Sequence, residues 1–450
     1  MIKPPQAVLD FMATFKKNNY QIYLVGGAVR DLLLGKTPTN FDFTTNATPE
    51  EILKLFPDGY YNNKFGTVGI SFSKIKDQKS NTFLFEITPF RKESDYSDFR
   101  HPEKIEWAKT LEEDLARRDF TINAMAFDGK NLIDPYCGQN DLKKKLIVAV
   151  GDPDARFQED ALRLLRAVRL ASQLGFVIEE KTRLSLQKNS QLILKISWER
   201  IRDEFLKILA SDFPAEGIIF LKNTGILAQI LPELDICFTI PQKSPKRHHI
   251  YDVGTHSVMA LKNCPSKDPI TRFATLIHDI GKAKTFHRDE KTQLITFYNH
   301  EVVGTKLAAK IAERFRLSNQ EKEKLIILVK YHQFTVSELQ TDKAIRRFIR
   351  NIKKEYLQDM LDLRTGDRIG SGAKPTSWRL ELFKKRLLEV QKEPFTVADL
   401  KIDGHDVMQT LKIKPGPKVG EVLKNLFNQV VEKKIKNERT SLLKALTTIN

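Results

Sequence analysis

The stretch LVGGAVRDLLLGKTPTNFDFTT, Leu24 to Thr45, places a strand, a glycine turn, a helix and a second strand in close succession. QIYLVGG reads as a strand that ends at Gly26 and Gly27, and AVRDLLLG as a helix closed by Gly35. In NFDFTT, alternation sends Phe41 and Phe43 to one face and Asn40, Asp42 and Thr44 to the other. Glycines between a strand and a helix let backbone N–H groups approach a phosphate, and the helix dipole favours the anion. An acidic strand face beside such a turn supplies oxygen ligands for a hard cation.

Outward from this stretch, TVGISFS and TFLFEITPF read as further strands, with Phe83, Phe85 and Ile87 on a buried face and Glu86 and Thr88 opposite. If the two acidic strands are neighbours, Glu86 joins Asp42; otherwise an arginine nearby would pair with it. With Asn40 the set would hold Mg²⁺, which suits activation of a hydroxyl and stabilisation of leaving pyrophosphate. Strands with interspersed helices through about residue 151 indicate a mixed α/β head.

Beyond GDPDARFQED the periodicity turns helical, beginning with EDALRLLRAVRLASQLG. On one continuous helix Asp160 and Arg163 would lie about 60° apart, with Ala161, Leu164, Leu165, Val168 and Ala171 forming the apolar stripe. A carboxylate beside a guanidinium offers an acceptor and donors, so the pair can read a base edge as another base would. Cytosine and adenine present an exocyclic amine and a ring-nitrogen acceptor; uracil and guanine present the reverse. The breaker-rich joints TIPQKSPKRHH and RIGSGAKPTS complete the expected organisation. The class is α+β: a head over 1–151, a helical neck over 152–240, a histidine-rich helical segment over 247–372 and a helical tail over 373–450.

A chain of 450 residues with 74 Lys and Arg against 57 Asp and Glu carries a formal charge of +17, which favours a polyanionic partner such as nucleic acid. Cys137, Cys237 and Cys264 have no metal-ligand spacing and form no disulfide framework, so a reducing cytoplasm is expected. No signal-peptide or bilayer-spanning run is evident, and no membrane or obligate protein partner is expected.

Taken together, GGAVRDLLLG, FDFTTNATPEE, LEEDLARRDFTINAMA, IDPYCGQNDL and RFQEDALRLLRAVRLASQLGF resemble the class II tRNA nucleotidyltransferases, the CCA-adding enzymes, which share ancestry with bacterial poly(A) polymerases. LKIDGHDVMQTLKIKPGPKVGEVLKNL and KNERTSLLKAL extend the resemblance near the end. It implies nucleotide contacts at Gly26, Gly27, Arg30 and Arg118, with Asp119 against the ribose. It also implies a base-reading pair, Asp160 and Arg163, and further nucleotide or triphosphate contacts at Arg166 and Arg169. In the family Asn40 is normally aspartate, the first of the metal-binding pair; an amide coordinates without charge, so weakened metal binding and a slowed reaction are expected. FRKESDYSDFRHPEKIEW resembles the family's flexible loop, which serves the switch from C to A.

The segment YDVGTHSVMAL through RTGDRIGSG resembles an HD-type phosphohydrolase domain. His256, His278, Asp279 and Asp367 would fit one metal, and His300 with His332 a second; imidazole and carboxylate suit Mn²⁺, Fe²⁺, Ni²⁺ or Zn²⁺. In KIKPGPKVGEVLKNL, Lys412, Lys414 and Lys418 resemble a tail that grips the tRNA backbone. The expected activity is template-independent addition of C, C and A to tRNA from CTP and ATP. The rivals are a poly(A) polymerase, an A- or CC-adding enzyme, and an inactive tRNA-binding protein.

Overall fold

The computed structural model describes residues 2–61, 66–72, 83–96, 102–242, 250–391, 397–432 and 434–447. The head sheet is formed by β1 (Ile22–Val25), β2 (Phe41–Thr45), β3 (Tyr60–Tyr61), β4 (Val68–Phe72) and β5 (Phe83–Pro89). After the hairpin β6 (Arg91–Tyr96) and β7 (Pro102–Trp107), β8 (Ala126–Phe127) and β9 (Leu132–Ile133) complete the sheet. Its order is β3-β4-β5-β2-β1-β8-β9. β2 and β5 run parallel, with Asp42 opposite Glu86, while β1 and β2 run antiparallel, with Val25 opposite Asp42.

Phe41, Phe43, Phe85 and Ile87 are buried, as period-two alternation requires. The helix Gln6–Lys17 covers them, its Phe11 ring centred 5.0 Å from Phe43 and 4.8 Å from Phe85. Each such aromatic contributes roughly 1.5–3 kcal/mol by leaving water. This packing decides which strand face is left to carry the acids.

The remainder, expected to be helical throughout, is mostly helical but carries the short strands Val177–Ile178, His287–Arg288 and Ile295–Thr296, and it has two hydrophobic clusters. One runs from Phe120 in the head through the neck and the histidine-rich segment and takes in Leu380, Phe383, Leu387 and Val390 from the start of the expected tail; the other, Leu400 to Leu446, forms the rest of the tail. The joint read at 239–249 falls partly outside the described residues, since 243–249 are not among them.

Two local expectations need correction. The helix read through EDALRLLRAVRLASQLG is interrupted: one helix spans Pro153–Glu159, another Arg163–Leu174, and Asp160 between them is extended at φ −136°, ψ 102°. Its own carboxylate causes the break, with Oδ1 accepting the Leu162 N–H at 3.1 Å, a local bond that competes with helix continuation. The apolar stripe survives, because Ala161, Leu164, Leu165, Val168 and Ala171 are all buried. The segment read as a flexible loop, Phe90 to Trp107, instead forms the antiparallel hairpin β6–β7, with Arg91 opposite Trp107; residues 97–101 lie outside the described set.

Candidate active site

Gly26 sits at φ 70°, in the left-handed region that glycine enters without strain, and caps the helix Gly27–Leu33. A side chain at Gly26 would crowd Arg118 Nη1 and approach Asp42 Oδ2, so turn, arginine and acid meet at one point. The Asp42 carboxyl is raised above the usual range, first by desolvation and then by the adjacent Glu86 carboxylate, with Arg118 pulling it down. Two in-register acids that repel one another are a fit for a divalent cation. Among the described residues no cation pairs with Glu86. Asn40 lies exposed in the bend just before β2.

Arginines ring this point. Arg30 donates from Nη1 to Asn123 Oδ1 at 2.8 Å and pairs with Asp31. Asp114, wholly buried, holds Arg117 at 2.7 Å and Arg118 at 3.0 Å. Burial works to raise its carboxyl, but the Arg118 and Arg117 guanidinium groups hold it below the usual range. Asp119 accepts from Phe120 N–H at 2.8 Å and Asn123 Nδ2 at 3.2 Å. Arg166 Nη2 stands 2.7 Å from Asp119 Oδ2 without hydrogen-bond alignment. Arg118 Nε and Arg166 Nε are buried donors without a hydrogen-bond partner, which suits an anionic ligand, while Asp119 Oδ2 is ion-paired with Arg166.

The two residues expected to read the base adjoin this ring. Arg163 is buried and donates to Glu159 Oε2 at 2.6 Å, Arg156 O at 3.0 Å and Arg117 O at 2.9 Å. Through Arg117 and Asp114 it is linked to Arg118 and so to Asp42. Asp160 does not stand beside Arg163 on a helix face; its carboxylate faces Arg200, with Nη2 at 3.3 and 3.4 Å from the two oxygens. Arg169 is held by Glu204 at 2.6 Å, on the same helix as Arg166. Asp114, Glu159 and Arg200 were not foreseen. The first two carry a legible signal, since LEEDLARRD and EDALR place opposite charges three or four residues apart; Arg200 carries none.

The histidine-rich segment closes on itself. His256 Nε2 lies 3.3 Å from His278 Nε2, 3.5 Å from Asp279 Oδ2 and 3.2 Å from Asp367 Oδ1. On the other side of Asp279, Oδ1 stands 3.3 Å from His300 Nε2 and 3.6 Å from His332 Nε2. Nδ1 of His278, His300 and His332 meets the carbonyl three residues back, at Thr275, Phe297 and Val329, which aims each Nε2 at the cluster. His256, His278 and Asp279 form one metal-sized group, and Asp279, His300 and His332 another. Burial works against protonation of His278, yet the Asp279 and Asp367 carboxylates push it up to about 10. Lys282, which sequence reading missed although it lies three residues after Asp279, donates to Asp279 Oδ2 at 2.6 Å and Gln242 Oε1 at 2.7 Å. The Lys282 ammonium offsets part of the Asp279 charge. The cluster floors a cleft of about 500 Å³.

In the tail, Lys412, Lys414 and Lys418 are exposed, with Lys418 in the first turn of the helix Pro417–Val431. Cys137, Cys237 and Cys264 are free thiols. No helix of the described residues is long and apolar enough to cross a membrane.

Comparison with known proteins adds the following. Residues 22–148 match the family profile of the poly A polymerase head domain. Residues 175–237 match a profile described as a probable RNA and SrmB-binding site of polymerase A, and 285–446 one for tRNA nucleotidyltransferase domain 2. A CCA-adding enzyme of Geobacillus kaustophilus is 43% identical over 51% of this chain and 55% of its own length; in that match and two similar Geobacillus ones the chain spans about half the length of the relative. A CCA-adding enzyme of Anoxybacillus flavithermus is 30% identical over 96% of this chain and 94% of its own. An A-adding tRNA nucleotidyltransferase of Deinococcus radiodurans is 33% identical over 90% of each. The crystal structure of the Bacillus stearothermophilus CCA-adding enzyme in complex with CTP superposes with a TM-score of 0.71 at 27% identity, covering 99% and 98% of the chains.

Proposed function

This chain belongs to the CCA-adding enzyme family of tRNA nucleotidyltransferases, and we propose that it adds nucleotides from CTP and ATP to the tRNA 3′ end and releases pyrophosphate. The observation that carries this reading is the in-register pairing of Asp42 with Glu86 beside the Gly26 turn and Arg118. The tRNA 3′-hydroxyl attacks the α-phosphate, forming a P–O bond as the bond to pyrophosphate breaks. Asp42 and Glu86, with the neutral oxygen of Asn40, would hold Mg²⁺, which supplies charge neutralisation and lowers the pKa of a bound hydroxyl. Arg30, Arg118 and Arg166 orient the triphosphate, the Gly26–Gly27 turn brings backbone N–H groups to it, and Asp119 accepts a ribose hydroxyl. Asp160 and Arg163 read the base edge, so no template strand is needed. The exposed Lys412, Lys414 and Lys418 offer contacts to the tRNA backbone.

Incubating the chain with tRNA transcripts that end before CCA, after CC, or in unrelated RNA, with each nucleotide omitted in turn, tests the reading. Ordered addition of C, C and A to tRNA supports it. Extension of the CC-ended transcript alone would move the assignment to A addition, a reading favoured by the Deinococcus relative. Indiscriminate extension of generic RNA by ATP would favour a poly(A) polymerase, and no extension under any mixture a tRNA-binding protein.

The histidine cluster supports a second activity, a metal-dependent phosphoesterase in the HD-type segment. Two His–carboxylate groups sharing Asp279 suit Mn²⁺, Fe²⁺, Ni²⁺ or Zn²⁺. Metal content of the purified chain, its loss in His278→Ala, and release of phosphate from nucleotides decide the point. A chain that binds none of these metals would remove this reading.

A further inference from the structure

Asp160, the residue read as half of the base-selecting pair, is extended and lies outside both flanking helices. Helical backbone therefore does not aim its side chain. Two contacts do: the Leu162 N–H on Oδ1 and Arg200 Nη2 across both oxygens. We propose that Arg200 is a positioning residue for base selection, setting the plane of the Asp160 carboxylate that accepts the exocyclic amine of cytosine or adenine. This rests on the base-reading assignment above.

The helix that carries Arg200 is packed on its aromatic face. It spans Trp198–Leu209, where Trp198 packs against Phe315 at 5.4 Å and lies under Arg314 at 5.6 Å. Two turns on from Trp198, Phe205 contacts Phe273 and Phe315, each at 5.2 Å between ring centres. A guanidinium on such a mount fixes its partner better than one on a loop. Arg200 Nη1 is buried without a hydrogen-bond partner. One nitrogen spans the carboxylate at 3.3 to 3.4 Å while the other is idle, so a small turn of either side chain would close the two-nitrogen fork that arginine and carboxylate form best. Closing it would bring the carboxylate to one orientation, and orientation is what separates an acceptor–donor edge from its reverse. Glu159 holds Arg163 similarly at 2.6 Å, so each half of the pair has an opposite charge behind it.

The test compares the full chain with Arg200→Met, Arg200→Lys and Asp160→Ala, reading kcat/KM for CTP and ATP against UTP and GTP on tRNA, and equilibrium binding of CTP against UTP. Arg200→Met is expected to lower discrimination roughly tenfold, within the range one well-aligned bidentate contact supplies, and Arg200→Lys to recover part of it. KM should rise for CTP and ATP while pyrophosphate binding stays unchanged. In an Asp160→Ala background, Arg200→Met should have no further effect on discrimination. Full discrimination in Arg200→Met alongside its loss in Asp160→Ala would overturn the role of Arg200 and leave the base-reading assignment standing. Full discrimination in Asp160→Ala would overturn that assignment itself. If Arg200→Met fails to fold, Arg200→Lys decides: unchanged CTP-to-UTP preference there contradicts the proposal.

Discussion

At Asn40 the cost of a single missing charge can be measured. Asn40 offers a neutral oxygen where the family resemblance implies a carboxylate, and metal-centred charge stabilisation is worth several kcal/mol. Asn40→Asp is expected to speed primer extension by at least about tenfold, where each decade corresponds to about 1.4 kcal/mol; equal rates for the two chains would mean that Asp42 and Glu86 suffice. At Asp114 the effect falls on stability. Its carboxyl is held low by Arg118 and Arg117, so its contribution is fully present above the ordinary aspartate value, about 3.9, and is lost as pH falls through the lower folded value. Asp114→Asn leaves two partly buried guanidinium groups short of charge and should cost about 3 kcal/mol, read by chemical denaturation at pH 7, with the difference from the parent chain shrinking in acid. Asp42 and Glu86 were legible because strand alternation has only two outcomes and the Phe residues take one of them. Arg200 was not, because only the tertiary packing of a distant helix brings it to Asp160.

Elements were read best where period and packing agree. The strands β1, β2, β4 and β5 and the helix Gly27–Leu33 lie where alternation and glycine placed them. The segment around Asp160 departs because a short acidic side chain bonds its own downstream backbone, and a 3.6-residue period across the break hides this. The β6–β7 hairpin departs because its polar strands bear no alternating apolar face to announce them. The histidine cluster depends on close helix approach at Gly281, where a methyl would run into the His300 carbonyl oxygen and the Gly304 nitrogen. Gly281→Ala is expected to pry the turn after Asp279 from the helix His300–Arg314. Metal bound per chain should fall at least tenfold and the melting temperature should drop; retained stoichiometry would show that the backbones shift without cost to the site.

Across the whole molecule, the shared cluster from Phe120 to Val390 makes the neck and the histidine-rich segment one packing unit, while the tail beyond it has its own. Ending the chain after Gln391 should therefore leave CTP binding nearly intact and weaken tRNA binding at least tenfold. The formal charge of +17 predicts that tRNA affinity falls steeply with salt. A slope near zero between 50 and 200 mM, values chosen to span roughly the usual test range, would oppose a backbone-gripping tail. The change of period at residue 151 marks where strands give way to mostly helix, although Phe120, Ile122, Leu142 and Ile147 before it pack in the same cluster as the neck. The continuity of the neck with the histidine-rich segment was not legible, since which helix faces meet is decided by residues far apart in the chain.

Nucleotide-omission extension of a tRNA transcript lacking its last three nucleotides, run side by side on this chain, Asn40→Asp and Asp42→Asn, is the most direct measurement. The expected result is stepwise gain of C, C and A only from CTP and ATP, faster in Asn40→Asp and absent in Asp42→Asn. Extension that persists in Asp42→Asn, or none even in Asn40→Asp, would contradict transfer at the Asp42–Glu86 pair.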